Sequence, residues 1–277
     1  SGKKGMVAMK GSYHGKSMGA LSLTFNPKYR ESFQPLVEKV SFSSYGDIDE
    51  LRNTVDKDTA FVILEPIQGE SGIHVPSDSF LQDVRKLCDE NKILLIFDEI
   101  QSGLGRTGSM WAADHWKTVP DIMCVAKGIA GGIPMGVTLV RPDILSVMKK
   151  GEHSSTFGGN PLSCAAGTAT IQALTQDGLI ENAKNMGLKF RLGLDELKDK
   201  HRIIREVRGK GLMIGVELKF EVKDILMEGI KNGLLLLYSG RNILRFLPPL
   251  VISEDDIAKT LKILDILLTN EETRRNV

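Results

Sequence analysis

The sequence predicts an α/β fold: a mostly parallel sheet flanked by helices, followed by a smaller C-terminal α+β domain. Short, wholly apolar runs recur at residues 6–9, 60–64, 93–97 and 122–126, as expected of strands buried on both faces. Helical periodicity lies between them, which favours parallel pairing through crossovers. At about residue 179 the texture changes to a long charged helical stretch and then a series of short strands. The expected boundary divides the chain into residues 1–178 and 179–277.

The first strand, Met6-Val7-Ala8-Met9, runs into a glycine-containing turn between Gly11 and Gly15. The second, 60–64, stops at Glu65-Pro66. Residues 79–91 place Phe80, Val84, Leu87 and Cys88 on one helical face, an amphipathic pattern. Strand 93–97 ends on Asp98-Glu99, strand 122–126 ends on Lys127, and Val137-Thr138-Leu139-Val140 reads as a further strand. Asn160-Pro161 supplies an N-cap and a first-turn proline for a helix over 160–175. Its Ser163, Ala165, Ala166, Gly167 and Ala169 permit close packing. Beyond the charged helix ending near 200, strands are expected at 203–208, 212–218, 234–238 and 243–246. The last helix, 253–268, buries Ile257, Leu261, Ile263, Leu264 and Leu267, and the charged tail 270–277 is expected to fray.

Composition narrows the function classes. A net charge of +1 over 277 residues leaves no electrostatic footprint for nucleic acid or an anionic membrane. No apolar run reaches the roughly 20 residues of a membrane span. Residues 1–4 lack the apolar core of a signal peptide. Without an initiator methionine, the chain is expected to begin inside a longer protein. Cys88, Cys124 and Cys164 are too far apart for a CxxC pair or a Cys/His cluster. Neither a disulfide framework nor a metal is implied, and a reducing cytoplasm fits.

The chemistry gathers at strand ends. In parallel sheets ligands bind outside the carboxyl ends of the strands, and Glu65, Asp98 and Lys127 all stand there. An amine closing an apolar strand suits a Schiff-base lysine, because desolvation lowers the ammonium pKa and frees the nucleophile. A pyridoxal ring works as an electron sink when its nitrogen stays protonated, and a carboxylate such as Asp98 stabilises that proton. A helix cap or a structural ion pair explains Asp98 equally well. Gly103-Leu104-Gly105-Arg106-Thr107-Gly108 fits the GxGxxG dinucleotide pattern, but Asp98 and Glu99 precede it, and acids there would repel a pyrophosphate. The hydroxyls and glycines of residues 154–161 open a helix in a way that suits a phosphate, or simply cap it.

Taken together, these segments strongly resemble the class III aminotransferases. They are Leu64-Glu65-Pro66-Ile67-Gln68-Gly69-Glu70, Phe97-Asp98-Glu99-Ile100-Gln101-Ser102-Gly103, Ala126-Lys127-Gly128, Ser155-Thr156-Phe157-Gly158-Gly159-Asn160-Pro161 and Arg208-Gly209-Lys210-Gly211. The resemblance covers essentially the whole chain and is nearest to the acetylornithine group. Within that group it is nearest to the branch handling lysine precursors on an amino-group carrier protein, through Tyr29-Arg30-Glu31, Pro35-Leu36-Val37 and Arg245-Phe246-Leu247-Pro248-Pro249-Leu250.

The resemblance implies a fold-type-I large domain, pyridoxal 5′-phosphate as cofactor and a cytoplasmic homodimer in arginine or lysine biosynthesis. Lys127 would hold the cofactor and shuttle a proton, and Asp98 would pair with the ring nitrogen. Gln101 would bond the ring hydroxyl, and Ile100 and Tyr13 would cover the two ring faces. His14, Glu65 and Ser155 would complete the site, and Thr156 would reach the phosphate of the neighbouring subunit. Glu70 would neutralise Arg245 during the amino-donor half-reaction and release it to bind glutamate in the other. Lys16 stands where the family usually has an arginine for a substrate carboxylate; it keeps the charge without the planar fork.

Family members also carry about a hundred residues before this start, including part of the phosphate cup. The expected reaction moves the terminal amine of an N-acylated ornithine or lysine to 2-oxoglutarate. Alternatives are a 4-aminobutyrate or ornithine aminotransferase, an aminomutase, or an inactive fragment that only dimerises.

Overall fold

A computed structural model describes residues 1–276. Its strands are β1 (Gly5–Met9), β2 (Val40–Ser43), β3 (Thr59–Leu64), β4 (Leu94–Asp98), β5 (Ile122–Val125), β6 (Val137–Val140), β7 (Ile204–Lys210), β8 (Met213–Leu218), β9 (Leu237–Ser239) and β10 (Ile243–Phe246). Its α-helices are α1 (Met18–Leu23), α2 (Pro27–Arg30), α3 (Ile48–Thr54), α4 (Phe80–Asn91), α5 (Pro142–Leu145), α6 (Pro161–Gln176), α7 (Leu179–Lys200), α8 (Lys223–Lys231) and α9 (Glu254–Arg275). Among the described residues no helix is long and apolar enough to cross a membrane.

The first six strands form one sheet in the order β2-β1-β3-β4-β5-β6. Every pair is parallel except β5–β6. The apolar runs form its centre: Val7, Val62, Leu64, Leu95 and Phe97 pack on Phe80, Leu81, Val84 and Leu87 of α4. The last four strands form an antiparallel sheet, β7-β8-β10-β9. It has its own core, in which Val207, Ile214, Val216 and Leu244 meet Phe190 and Leu194 of α7 and Leu264 and Leu267 of α9. An α/β part is thus followed by an antiparallel sheet backed by helices, as the two sequence textures predicted.

Some elements differ from expectation. The edge strand β2 and the short helices α3 and α8 are elements the sequence reading did not predict. Residues 234–236 belong to the connection after α8, so the strand expected at 234–238 lies at Leu237–Ser239. The C-terminal segment does not fray at 270: α9 continues to Arg275. Glu271 is buried and paired with Arg274 and Arg275, and the Arg275 guanidinium lies 3.7 Å from the Phe220 ring centroid. A charged sequence expected to fray is held by ion pairs within α9, by the Arg274–Asp224 pair to α8 and by a cation–π contact.

The GxGxxG segment forms a docking seam between the two parts. Leu104, Gly105 and Gly108 all have positive φ. Cβ atoms at Gly105 and Gly108 would touch Ile180 and Lys184 on α7. Arg106 donates to the carbonyls of Leu212 at 3.2 Å and Pro248 at 2.5 Å.

Candidate active site

Parallel pairing brings the carboxyl ends of β3, β4 and β5 to one edge, and with them Glu65, Asp98 and Lys127. Asp98 pairs in register with Cys124, three residues before Lys127. Lys127 opens a 3₁₀ turn (Lys127–Ala130) and adopts φ 49°, a left-handed conformation that costs a non-glycine residue energy. Strain of this kind concentrates at functional sites. The Lys127 side chain reaches solvent along an open cleft, yet burial among the cleft walls lowers its pKa below the ordinary value. Glu70, Asp98 and Glu65 oppose that shift, and Arg245 reinforces it. A cleft of about 390 Å³ adjoins it, lined by Ile100, Gln101, Leu104, Arg106, Leu174 and Leu250 among others.

Asp98 is buried and held from two sides. Its Oδ1 accepts the Ile100 N–H at 3.0 Å, and its Oδ2 lies 2.8 Å from His14 Nδ1. His14 is anchored in turn by its backbone N–H donating to Thr24 Oγ1 at 3.0 Å. Asp98 thus makes a structural hydrogen bond to His14 and stands at the end of β4. His14 braces this carboxylate from the Gly11–Gly15 turn. Glu99, the neighbouring acid, turns into the core, where it accepts from Ala113 N at 2.8 Å and Ser102 Oγ at 2.5 Å.

Glu65 ties two loops together by accepting from Tyr13 N at 3.1 Å and Gly69 N at 3.0 Å. Burial pushes its carboxyl up to about 7 against the opposing pull of His14 and those N–H groups. The Tyr13 ring meets Tyr29 edge-on with centroids 5.5 Å apart. Burial is the main cause that raises its hydroxyl pKa, with Tyr29 and Glu70 adding to it. Lys16 Nζ lies 5.3 Å from the centroid of the same Tyr29 ring, so Lys16, Tyr29 and Tyr13 form one row.

Glu70 sits at the tip of a hairpin closed by the Gln68–His74 bridge. Its Oε1 accepts from Arg245 Nη1 at 2.6 Å and from Gln101 Nε2 at 3.2 Å. Burial raises the Glu70 carboxyl, but these contacts outweigh it and leave the pKa below the ordinary value. Gln101 thus faces Glu70 through its amide nitrogen, while its Oε1 is buried without a partner. A Cβ at Gly69 would overlap the Gln101 amide, so any larger residue there would have to displace that side chain.

Ser155 and Thr156 are not brought into this cluster. They lie in an exposed stretch before α6, where Ser155 Oγ accepts from Gly158 N at 3.0 Å. Sequence reading named Arg208 within a family segment without giving it a role and passed over Ser239; both grip the Glu70 hairpin. They sit on separate antiparallel strands with no linear spacing to mark them.

The donor set fits pyridoxal phosphate. An amine of lowered pKa for covalent attachment stands beside a buried, braced carboxylate for a ring nitrogen, with an orphaned amide oxygen at Gln101 nearby. A strand-end lysine and carboxylate on a mostly parallel sheet are the arrangement a pyridoxal-phosphate-dependent α/β enzyme requires.

The chain belongs to the class III aminotransferase family, whose model, "Aminotransferase class-III", matches residues 1–268. It is 43% identical to an acetylornithine aminotransferase of Caldanaerobacter subterraneus, over 95% of this chain and 67% of that one. It is 39% identical to a [LysW]-aminoadipate semialdehyde/glutamate semialdehyde transaminase of Sulfolobus acidocaldarius, over 95% and 68%. Among solved structures it superposes on the ornithine aminotransferase of Toxoplasma gondii with TM-score 0.94 at 32% identity, covering 99% of this chain and 66% of that one. The chain therefore spans about two thirds of the length of these relatives.

Proposed function

We propose that this chain carries the catalytic residues of an aminotransferase that moves the terminal amine of an N-acylated ornithine or lysine to 2-oxoglutarate, giving a semialdehyde and glutamate. The observation that carries this reading is the Glu70–Arg245 ion pair, 2.6 Å long, in the same cluster as Lys127 and Asp98. A site that alternates between two substrates needs a cation it can present to one and mask from the other. Similarity to acetylornithine and carrier-linked transaminases supports the substrate class.

Pyridoxal phosphate, when bound, supplies the electron sink for amino-group transfer. Lys127 Nζ would anchor it and then move a proton to and from the reacting substrate carbon. Asp98, braced by His14, would hold the proton on the ring nitrogen. Tyr13 and Ile100 would cover the ring faces, and Gln101 would hydrogen-bond the ring hydroxyl. In the donor half-reaction Glu70 would keep Arg245 neutralised. In the glutamate half-reaction Glu70 would swing aside, and Arg245 would take the α-carboxylate through its fork. Lys16 would contact a substrate carboxylate as a point charge.

The same reading gives residues 1–178 to the cofactor-binding domain and 179–277 to the smaller one. It makes the enzyme a cytoplasmic homodimer, with exposed Ser155 and Thr156 serving the partner subunit's phosphate site. It also admits a carrier protein as the bearer of the substrate. To test it, pyridoxal phosphate is added and the absorbance band of lysine-bound cofactor is recorded. The band should be absent in Lys127→Ala; an unchanged band sinks the assignment. A donor panel of N-acetylornithine, ornithine and 4-aminobutyrate then separates the substrate classes.

A further inference from the structure

Three strands of the C-terminal sheet converge on one hairpin of the other part. Arg208 of β7 and Arg245 of β10 both pair in register with Gly215 of β8. Directly opposed residues project to the same face of a sheet, so the two arginines flank a glycine on one face. Gly215 leaves that face open: a Cβ there would come within 3.1 Å of both Gly72 O and Ile73 Cβ. The Gln68–His74 hairpin seats in the space. Arg245 takes the Glu70 carboxylate. Arg208 Nε donates to Gly72 O at 2.8 Å, and its Nη1 is fixed by Glu206 at 2.6 Å and Glu217 at 2.8 Å. From β9, Ser239 Oγ donates to Glu70 O.

The seat is tight. Gly72 has φ 135°, and a Cβ there would lie 2.5 Å from Ile243 Cδ1 and 3.0 Å from Arg208 Nη2. Ile73 is fully buried with φ 55°, an outlier for a β-branched residue. Such a conformation persists only where its surroundings over-determine it.

We propose that Arg208 and Ser239 are positioning residues for the substrate switch. They clamp the hairpin backbone at Gly72 O and Glu70 O, so the Glu70–Arg245 pair opens by rotation of the Glu70 side chain over a fixed main chain. This proposal rests on the dual-substrate reading above and adds its mechanical basis. The carboxylate swings while its own carbonyl stays bonded to the sheet that carries its arginine partner. The masked and open states then differ by side-chain torsions alone, which lets the pair return to one geometry after each half-reaction.

Amide exchange across residues 68–74 tests the clamp without reference to activity. In the unaltered chain it should change less than about twofold on saturation with L-glutamate, whereas faster exchange would mean that the backbone moves and would overturn the proposal. Ser239→Ala and Arg208→Lys each remove or misalign one backbone contact worth about 1 kcal/mol, so exchange should quicken about fivefold. In the cofactor-loaded enzyme the ratio of kcat/KM for L-glutamate to that for N-acetylornithine should shift by a similar factor, and Ser239→Thr should restore it. Ser239→Ala removes only a hydroxyl and keeps the test open if Arg208→Lys fails to fold. Unchanged exchange and an unchanged ratio in folded Ser239→Ala overturn the clamp. Glu70→Gln separates the two readings. If it shifts the ratio while the clamp variants do not, only the clamp fails; if it leaves the ratio unmoved, the switch itself fails and takes the clamp with it.

Discussion

Arg245 Nη1 and Glu70 Oε1 lie 2.6 Å apart although the residues are 175 positions apart in sequence. The pair is more than surface decoration: the Arg245 side chain is only 12% exposed, and its Nε is buried without a partner. Removing the arginine should therefore be felt most by the substrate that needs it. Arg245→Ala is expected to lower kcat/KM for L-glutamate by roughly 2–4 kcal/mol of transition-state binding, about 30- to 1,000-fold. The N-acylated donor should lose less than about tenfold. Separate single-turnover measurements of the two half-reactions check this, and equal losses would contradict it.

The His14 side chain is nearly inaccessible, and its imidazole pairs with Asp98. His14→Leu keeps the bulk and leaves one oxygen of a buried carboxylate unpaired. The expected cost is about 1–3 kcal/mol of stability, read from urea unfolding. The proposed contact of Asp98 with the cofactor ring nitrogen loses its brace in this variant, so the cofactor absorbance band should also shift. A variant with full stability and an unmoved band would remove His14 from the site.

Glu65 makes stability depend on pH in a defined direction. Burial raises its carboxyl from the ordinary 4.5 to about 7, so between those values the folded chain holds a proton that the unfolded chain has released. The contribution is complete below about pH 4.5 and is lost as pH rises through about 7. Buried Glu99 is pushed the same way, also to about 7. Glu65→Gln should lower stability by about 1 kcal/mol through one lost acceptor and flatten the fall in Tm between pH 5 and 8. Parallel pH profiles for the two proteins would refute the assignment.

Two glycines of α7 should respond differently to alanine. At Gly187 a Cβ would overlap the backbone of Gly211 in the β7–β8 turn. Backbone cannot step aside cheaply, so Gly187→Ala is expected to cost about 2–3 kcal/mol. At Gly193 the obstacle is the end of the Leu261 side chain, which can rotate. The gain in helix propensity, up to about 1 kcal/mol, should leave Gly193→Ala near neutral. Thermal melts of the two variants discriminate them directly.

Much of the fold was legible because the central strands are continuous apolar runs, α4 and α7 are amphipathic, and α6 is announced by its Asn160-Pro161 start. Those features are local and survive without knowledge of what packs where. The edge strand β2 and helix α8 escaped because short, half-exposed elements owe their structure to neighbours. The end of α9 was misread for the same reason: Arg274 and Arg275 look solvated until Asp224 on α8 and Phe220 come alongside. The strand-end lysine and carboxylates could be read from sequence, since each is announced by the apolar run before it.

By itself the sequence determined the alternation of strands and helices, the change of texture near residue 179 and the placing of Glu65, Asp98 and Lys127 at strand ends. Periodicity and burial are encoded within a few residues of one another, so they need no tertiary information. Only the tertiary structure decided how the charges are partnered. His14 sits on Asp98, Glu99 faces the core, and Arg208, Ser239 and Arg245 from three strands close on one hairpin. Hydrogen bonds and ion pairs act over about 3 Å in space, and nothing in linear spacing reveals which distant side chains the sheets will bring within that reach.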